Sequence, residues 1–285
     1  MLRKSKILIL GAQGMLGSDL VKVFSEKQEV TAWDREDIDV TQETEVMAKI
    51  LPLEPQVIIN ATGYTDVDSA EDNQDTAFKV NTEAVKFITL ACEKVNARLV
   101  HFSTEYVFDG TNKAGYKEDS VTNPLNIYGQ SKSQGEKFVL KYSKGYLIRT
   151  SWLFGKAPQK GKPRGLNFID TMIKMASERE EIKVVNDQFG KPTYTRDLTK
   201  AVHQLITEDY QPGIYHLVND NVCSWYDLAK EVLRIKNINT PILPITSSEY
   251  PTKARRPQYA VLLNTKFPHF RPWQEALRQY LELFD

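Results

Sequence analysis

Long apolar runs are what this chain lacks most. No stretch of its 285 residues approaches the roughly 20 apolar residues of a membrane-spanning helix. Three basic residues among the first six lead into KILIL, too short an apolar segment for a secretory leader before Gly11. A first strand is expected there instead. Cysteine is scarce: Cys92 and Cys223 stand far apart, which excludes a disulfide framework and a thiolate metal site and fits a reducing, cytoplasmic setting. Both are expected to fill core. An excess of charge is absent too, since 37 Lys and Arg balance 37 Asp and Glu. Neither nucleic acid nor a membrane is therefore expected as a partner, although a local basic pocket remains open. The histidines, His101, His203, His216 and His269, sit at no ligand spacing from a carboxylate or cysteine, so no metal site is expected. His101 and His216 lie in strand-like runs and read as structural. The acidic stretch Asp66, Asp68, Glu71, Asp72 admits a metal, but a solvated, helix-capping role is favoured. No internal repeat or low-complexity tract is visible.

What is present is alternation. Strand-like runs at Lys6–Leu10, 30–33, Val57–Asn60, 99–103 and 146–149 alternate with helical spacing at Met15–Phe24, 42–50, 76–93 and 132–142. This order predicts βαβ units and a parallel sheet. Runs such as ILIL and VIIN are apolar on both faces, as strands covered by helices on both sides must be. The second half is looser: a helix at 168–177, a strand at Ile182–Val185, a helix at 198–206, a strand at 214–217, and helices at Trp225–Ile235 and 273–284. Pro241, Pro244, Pro251 and Pro257 predict an irregular segment, and 157–165 (APQKGKPRG) an exposed basic loop. The fold class expected is α/β: a Rossmann-type doubly wound parallel sheet with a smaller C-terminal substrate-binding lobe. Residues 1–150 would form the dinucleotide-binding domain and 151–285 mainly the lobe, with parts of 186–223 returning to the sheet.

Directly after the first strand, Gly11, Gly14 and Gly17 give G-x-x-G-x-x-G. One glycine allows a tight turn, one lets backbone approach a pyrophosphate, and one lets the helix pack against the sheet. The helix N-terminus would face the phosphates, with Gln13, Met15 and Leu16 lining the turn. Such a triplet alone is weak, but the preceding strand, the following helix and the acidic Asp34 at the end of the second strand strengthen it. Asp34 suggests NADH, because a carboxylate repels a 2′-phosphate, whereas Arg35 would accommodate one. The cofactor is thus NADPH or NADH. Asp39 and Val40 either flank the adenine or cap the next helix.

Tyr128 and Lys132 are i and i+4 neighbours on one helix face. A carbonyl reduction needs a proton donor at the oxygen that gains charge as hydride reaches carbon. A tyrosine with an ordinary pKa of about 10 is sluggish at that task, and a nearby ammonium would lower it. The pair arises often by chance. It gains weight from Ser103 and Thr104, which end the fourth strand, where a hydroxyl faces the crevice and polarises a carbonyl.

Taken together, STEYVFDG and NPLNIYGQSK resemble the extended short-chain dehydrogenase/reductase group, and within it the dTDP-4-dehydrorhamnose reductase family. The resemblance extends through NATGYTDVDSAE, RTSWLFG, NDQFGKPT, GIYHLVN and YPTKARRP, and so over nearly the whole chain. It implies that Thr104, Tyr128 and Lys132 are catalytic, that Lys132 also holds the nicotinamide ribose, and that the partner is a dTDP-linked 4-keto-6-deoxysugar. It implies cofactor contacts at Ala61, Thr62 and Tyr64, and sugar-nucleotide contacts at Val67, Tyr106 and Trp152, with Thr65 a weaker member. Buried tryptophan is often simply core, but the position of Trp152 right after the fifth strand puts it at the crevice mouth. Asn167 and Gln188 are either diphosphate contacts or loop-stabilising hydrogen bonds. Arg256 is the better diphosphate candidate, since guanidinium binds phosphate oxygens in bidentate fashion. Glu105 stands where such sequences usually carry Asp, and a minor effect is expected. Epimerisation or dehydration of a sugar nucleotide on the same fold, and a regulatory subunit of methionine adenosyltransferase, are the competing functions. The oligomeric state is open, with a homodimer among the possibilities.

Overall fold

The computed structural model describes residues 5–159 and 165–283. The first half runs β1 (Lys6–Leu10), α1 (Met15–Phe24), β2 (Glu29–Trp33), α2 (Glu43–Ile50) and β3 (Val57–Asn60). There follow α3 (Val67–Asp72), α4 (Gln74–Phe78), a π-helical turn at Lys79–Glu83, α5 (Ala84–Val95), β4 (Arg98–Thr104), α6 (Ile127–Lys141) and β5 (Gly145–Thr150). The second half comprises β6 (Leu153–Phe154), α7 (Phe168–Glu178), β7 (Ile182–Val185), β8 (Phe189–Gly190), β9 (Thr193–Tyr194) and α8 (Thr195–Thr207). It ends with β10 (Gly213–His216), β11 (Cys223–Ser224), α9 (Trp225–Ile235), β12 (Ile242–Ile245) and α10 (Trp273–Glu282).

Six strands form one sheet in the order β10-β5-β4-β3-β1-β2, and every pairing is parallel. The expected α/β, doubly wound, Rossmann-type sheet is present. The chain leaves β1 toward β2 and returns past it to β3. A crevice therefore opens outside the carboxyl ends of β1 and β3, where ligands bind in such sheets. Strand alternation explains the two-sided apolar runs. Ile7, Ile9, Val57 and Ile59 pack with Leu16, Leu20 and Phe24 of α1 and Leu198, Val202 and Leu205 of α8. Leu8, Leu10 and Ile58 pack on the other face with Val46 and Ile50 of α2, Val85 and Ile88 of α5 and Val139 of α6. Each fully buried Leu or Ile in these layers stabilises the fold by roughly 1.5–3 kcal/mol.

A second apolar core gathers Phe154, Ile169, Ile182, Tyr194, Leu228, Val232, Trp273, Leu277 and Tyr280. The chain crosses between the two cores more than once, since β10 at Gly213–His216 pairs with β5 in the main sheet. Both cysteines are buried and unpaired.

Several expected boundaries move. The helix expected at 132–142 begins at Ile127, because Asn126 caps it by accepting the Gly129 N–H at 2.8 Å. The single helix expected at 76–93 is interrupted by the π-turn at Lys79–Glu83, and α3 precedes it where no helix was expected. The helix expected from 198 starts at Thr195. The proline-rich segment carries one regular strand, β12, which pairs in parallel with β7 alone. Pro244 is tolerated there because β12 has one neighbour and no ladder bond is required on its other side. Of the basic loop expected at 157–165, residues 160–164 lie outside the described residues.

Candidate active site

At the end of β1 the chain turns sharply under the carboxyl edge of the sheet. Gly11 has φ +78°, and a Cβ there would lie 2.9 Å from the Ala61 carbonyl carbon. A Cβ on Gly17 would lie 2.0 Å from the Gly11 carbonyl oxygen. Side chains are thus excluded at both positions by backbone rather than by movable atoms. Gly14 caps α1 with no side-chain hydrogen bond, so the first N–H groups of the helix face the crevice. This cradle, which a single methyl would fill, fits the pyrophosphate of a dinucleotide. The Met15 and Leu16 side chains are buried, Leu16 in the sheet core.

Asp34 accepts the backbone N–H of Gln13 at 2.8 Å and that of Arg35 at 2.9 Å. It therefore ties the end of β2 to the glycine turn. Asp39 is consumed locally: it accepts both the N–H (2.9 Å) and the hydroxyl (2.7 Å) of Thr41, which hold it below the usual carboxylate range. These contacts lie in the turn before α2, whose N-cap is Gln42, so Asp39 does not cap that helix. Val40 packs against the apolar layer under α2 and α5.

The segment after β3 is shaped by two asparagines. Asn60 Oδ1 accepts the N–H and hydroxyl of Thr62 at 3.1 and 2.6 Å. Asn81, in the π-turn, accepts the Tyr64 N–H at 2.9 Å and donates to the Tyr64 carbonyl at 3.0 Å. It also donates to the Ser131 hydroxyl, which itself donates to the Tyr128 carbonyl. The widened turn thus aims one buried amide at Ala61–Tyr64 and at α6 together, a use typical of π-bulges at functional sites.

Thr104, Tyr128 and Lys132 converge beside this segment. Thr104 ends β4 and donates its hydroxyl to the buried Glu105 carboxyl at 2.8 Å. The Tyr128 phenol is pushed up by burial and by the Glu105 charge, while the neighbouring Thr104 hydroxyl opposes the rise. Lys132 donates from Nζ to the Phe102 carbonyl at 2.5 Å, and a Cβ on Gly63 would lie 3.9 Å from that nitrogen. Burial pushes Lys132 down to about 8, against the pull of Glu136. The expected lowering of Tyr128 by Lys132 is not what the structure shows. The ammonium is directed at a backbone carbonyl, and desolvation dominates the phenol. Glu105 is pushed up to about 7 by burial.

Beneath these groups lies a polar layer that no sequence motif announces. Glu136 follows Lys132 by one helical turn and binds Arg149 of β5 through two hydrogen bonds of 2.9 and 2.7 Å. Both side chains are 3% exposed. Ser103 donates to Glu136 at 2.6 Å, and the Arg149 guanidinium lies 5.1 Å from the Phe108 ring centroid. His216 of β10 sits beside Arg149, and burial and that charge push it down to about 3. Asn60 meets His101 across β3 and β4 at 3.1 Å, and burial likewise keeps that imidazole neutral. The two strand histidines are structural in this sense. Only the i+4 spacing of Glu136 hinted at the layer.

Around the mouth, Tyr106 packs edge-on to Tyr128 at 5.6 Å. Arg256 is bidentate to Asp68, at 3.0 and 2.8 Å, and its guanidinium reaches the Tyr106 hydroxyl. The rest of the acidic stretch is also occupied. Asp66 caps α3, Glu71 accepts the Ile127 N–H, and Asp72 pairs with Lys253. Among the described residues no group of His, Cys, Asp and Glu could hold a metal. Val67 opens α3, and Thr65 lies against Gly63. Trp152 has φ +47°, a conformation that costs a non-glycine residue roughly 1–3 kcal/mol and persists only where the surroundings fix it. It stacks on Trp225. Asn167 is not brought to the site: it caps α7 and donates to the Tyr280 hydroxyl at 2.8 Å and the Gly155 carbonyl. Gln188 is buried, and its amide makes no hydrogen bond to the described residues.

A parallel sheet with a phosphate cradle at its switch point, Thr104 at the end of β4 and Tyr128 and Lys132 on the adjoining α6 defines an oxidoreductase of the short-chain dehydrogenase/reductase type. Residues 5–285 match the family described as RmlD substrate binding domain, and the chain belongs to that family. It is 36% identical to the spore coat polysaccharide biosynthesis protein SpsK of Bacillus subtilis, over 98% of this chain and 97% of that protein. It is 38% identical to a dTDP-4-dehydrorhamnose reductase of Aggregatibacter actinomycetemcomitans, over 96% and 97% of the two chains. The crystal structure of dTDP-4-dehydrorhamnose reductase from Bacillus anthracis in complex with NADP superposes with TM-score 0.92 at 36% identity, covering 98% of this chain and 99% of the other.

Proposed function

We propose that the chain reduces the C4 keto group of a dTDP-linked 4-keto-6-deoxysugar with NADPH or NADH, converting dTDP-4-dehydro-L-rhamnose to dTDP-L-rhamnose. One observation carries the reading: Tyr128 and Lys132 of α6 come together with Thr104 at the carboxyl end of β4, next to a cradle that fits a dinucleotide. The relatives' names and the NADP complex of a relative support it.

Gly11, Gly14 and Gly17 with the first turn of α1, Asp34, and Ala61–Tyr64 would hold the dinucleotide, which supplies hydride when bound. Thr104 fixes the substrate oxygen. Tyr128, kept protonated by burial, gives its proton to that oxygen as negative charge develops there. Glu105 holds the Thr104 hydroxyl in place. Lys132 shifts from the Phe102 carbonyl to the nicotinamide ribose and restores the proton of Tyr128. Tyr106, Val67, Thr65, Trp152 and Gln188 would surround the sugar nucleotide. Arg256 would reach its diphosphate by exchanging Asp68 for phosphate. The enzyme would work in the cytoplasm as a homodimer, an assembly that sedimentation measures directly.

The test supplies dTDP-4-dehydrorhamnose and follows nicotinamide absorbance with each cofactor. Oxidation of neither NADPH nor NADH would overturn the proposal.

A further inference from the structure

Trp152 follows β5 in a left-handed backbone conformation, yet nothing in its own sequence neighbourhood favours one. Its surroundings impose it. The Ser151 hydroxyl donates to the Lys191 carbonyl at 2.6 Å, and the Trp152 carbonyl accepts the Thr193 N–H at 3.2 Å. The indole stacks on Trp225, with ring centroids 3.5 Å apart and planes 9° from parallel. Its Nε1–Cε2–Cζ2 edge lies against Gly190, where a Cβ would come within 2.5 Å of Cε2. Gly190 and Trp225 belong to one unit, since β8 pairs with β11 (Cys223↔Gly190) and α9 begins at Trp225 directly after β11. Phe168, the first residue of α7, backs Trp225 at 4.5 Å.

We propose that Trp225 and Gly190 are positioning residues that clamp Trp152 as a fixed wall of the sugar pocket, suited to the apolar face of a deoxyhexose ring. The clamp rests on the reading of Trp152 as a sugar-facing residue of the reductase. It also accounts for glycine in the NDQFGKPT segment: any side chain at 190 would displace the indole. A wall that contacts substrate and transition state alike acts on binding, so its loss raises KM and leaves kcat nearly unchanged.

The test compares Trp225→Leu, Trp225→Phe and wild type in the full-length protein. Far-ultraviolet circular dichroism reads the exciton couplet of two stacked indoles, and fluorescence titration reads NADPH affinity. The Leu variant should lose the couplet and raise KM for the sugar nucleotide by about tenfold, with unchanged NADPH affinity and kcat. The Phe variant also loses the couplet, but it keeps a stacked ring and should recover KM to within about twofold. Gly190→Ala should reproduce the KM effect while Trp225 is still present. A folded Leu variant with wild-type KM overturns the clamp alone. A wild-type protein that reduces no dTDP sugar overturns the proposed reaction, and the clamp with it.

Discussion

Replacing Glu105 by Gln should change how stability depends on pH, and the size of the change follows from its burial. Glu105 is 3% exposed, and its one side-chain partner is a neutral hydroxyl, so burial pushes its pKa from 4.5 to about 7. The folded state therefore binds the proton more tightly than the unfolded chain does. The resulting stabilisation is complete below about pH 4.5 and is lost as pH rises through about 7. A displacement of about 2.5 pH units is worth about 3 kcal/mol at roughly 1.4 kcal/mol per unit. Unfolding entropy of roughly 2.1 cal/mol/K per residue gives about 0.6 kcal/mol/K for this chain, so about 5 °C in Tm. Gln mimics the protonated acid and has no proton to lose. Its Tm should rise relative to wild type by about 5 °C between about pH 5 and pH 8, read by calorimetry at matched ionic strength. His101 and His216, also buried in their neutral form, titrate identically in both proteins and cancel in the difference. Parallel Tm curves across that range would refute the account of Glu105 as a strongly desolvated acid.

The Glu136–Arg149 pair yields a second prediction. Glu136→Gln leaves a buried guanidinium unpaired and should cost about 3–5 kcal/mol, lowering Tm by roughly 5–8 °C. A Glu136→Gln, Arg149→Met double variant should lose less than the two single changes summed, and denaturant melts of all four proteins test this. Gly17→Ala forces α1 away from the Gly11 carbonyl and should weaken dinucleotide binding at least about tenfold, measured by fluorescence titration. Tyr128→Phe should reduce kcat by about 10²–10⁴-fold while leaving cofactor affinity within about twofold; a full rate would remove Tyr128 from the role of proton donor.

How much of the site was legible depends on how far its causes lie apart along the chain. The strands β1 and β3 and the glycine turn announce themselves locally. Four or five apolar residues, a turn residue with positive φ and a helix start fall within a single short window, and the physics that selects them acts within that window. Tyr128 and Lys132 are equally local, one helical turn apart. What stayed hidden is set by partners far away in sequence. The spacing around Arg256 gives no sign of Asp68, 188 residues upstream, which is bidentate to it and must be exchanged before phosphate can bind. Asn167 reads as a ligand until Tyr280 and Gly155 take up its donor atoms.

The same holds for the protonation of Tyr128. Sequence spacing sets Lys132 one helical turn from it, but spacing carries no information about desolvation, which raises the phenol instead of lowering it. That inversion has a chemical consequence. A reductase needs its phenol protonated before hydride transfer, and burial secures that state without help from Lys132. In the proposed reaction the lysine is then free to restore the proton afterward. With Lys132 pushed down only to about 8, it still carries that proton at neutral pH, and Glu136, one turn along the helix, is what keeps it from falling further. Removal of that carboxylate should therefore draw the alkaline loss of kcat to lower pH. A Glu136→Gln, Arg149→Met variant whose alkaline limb coincides with that of wild type would break the link between the buried pair and the lysine.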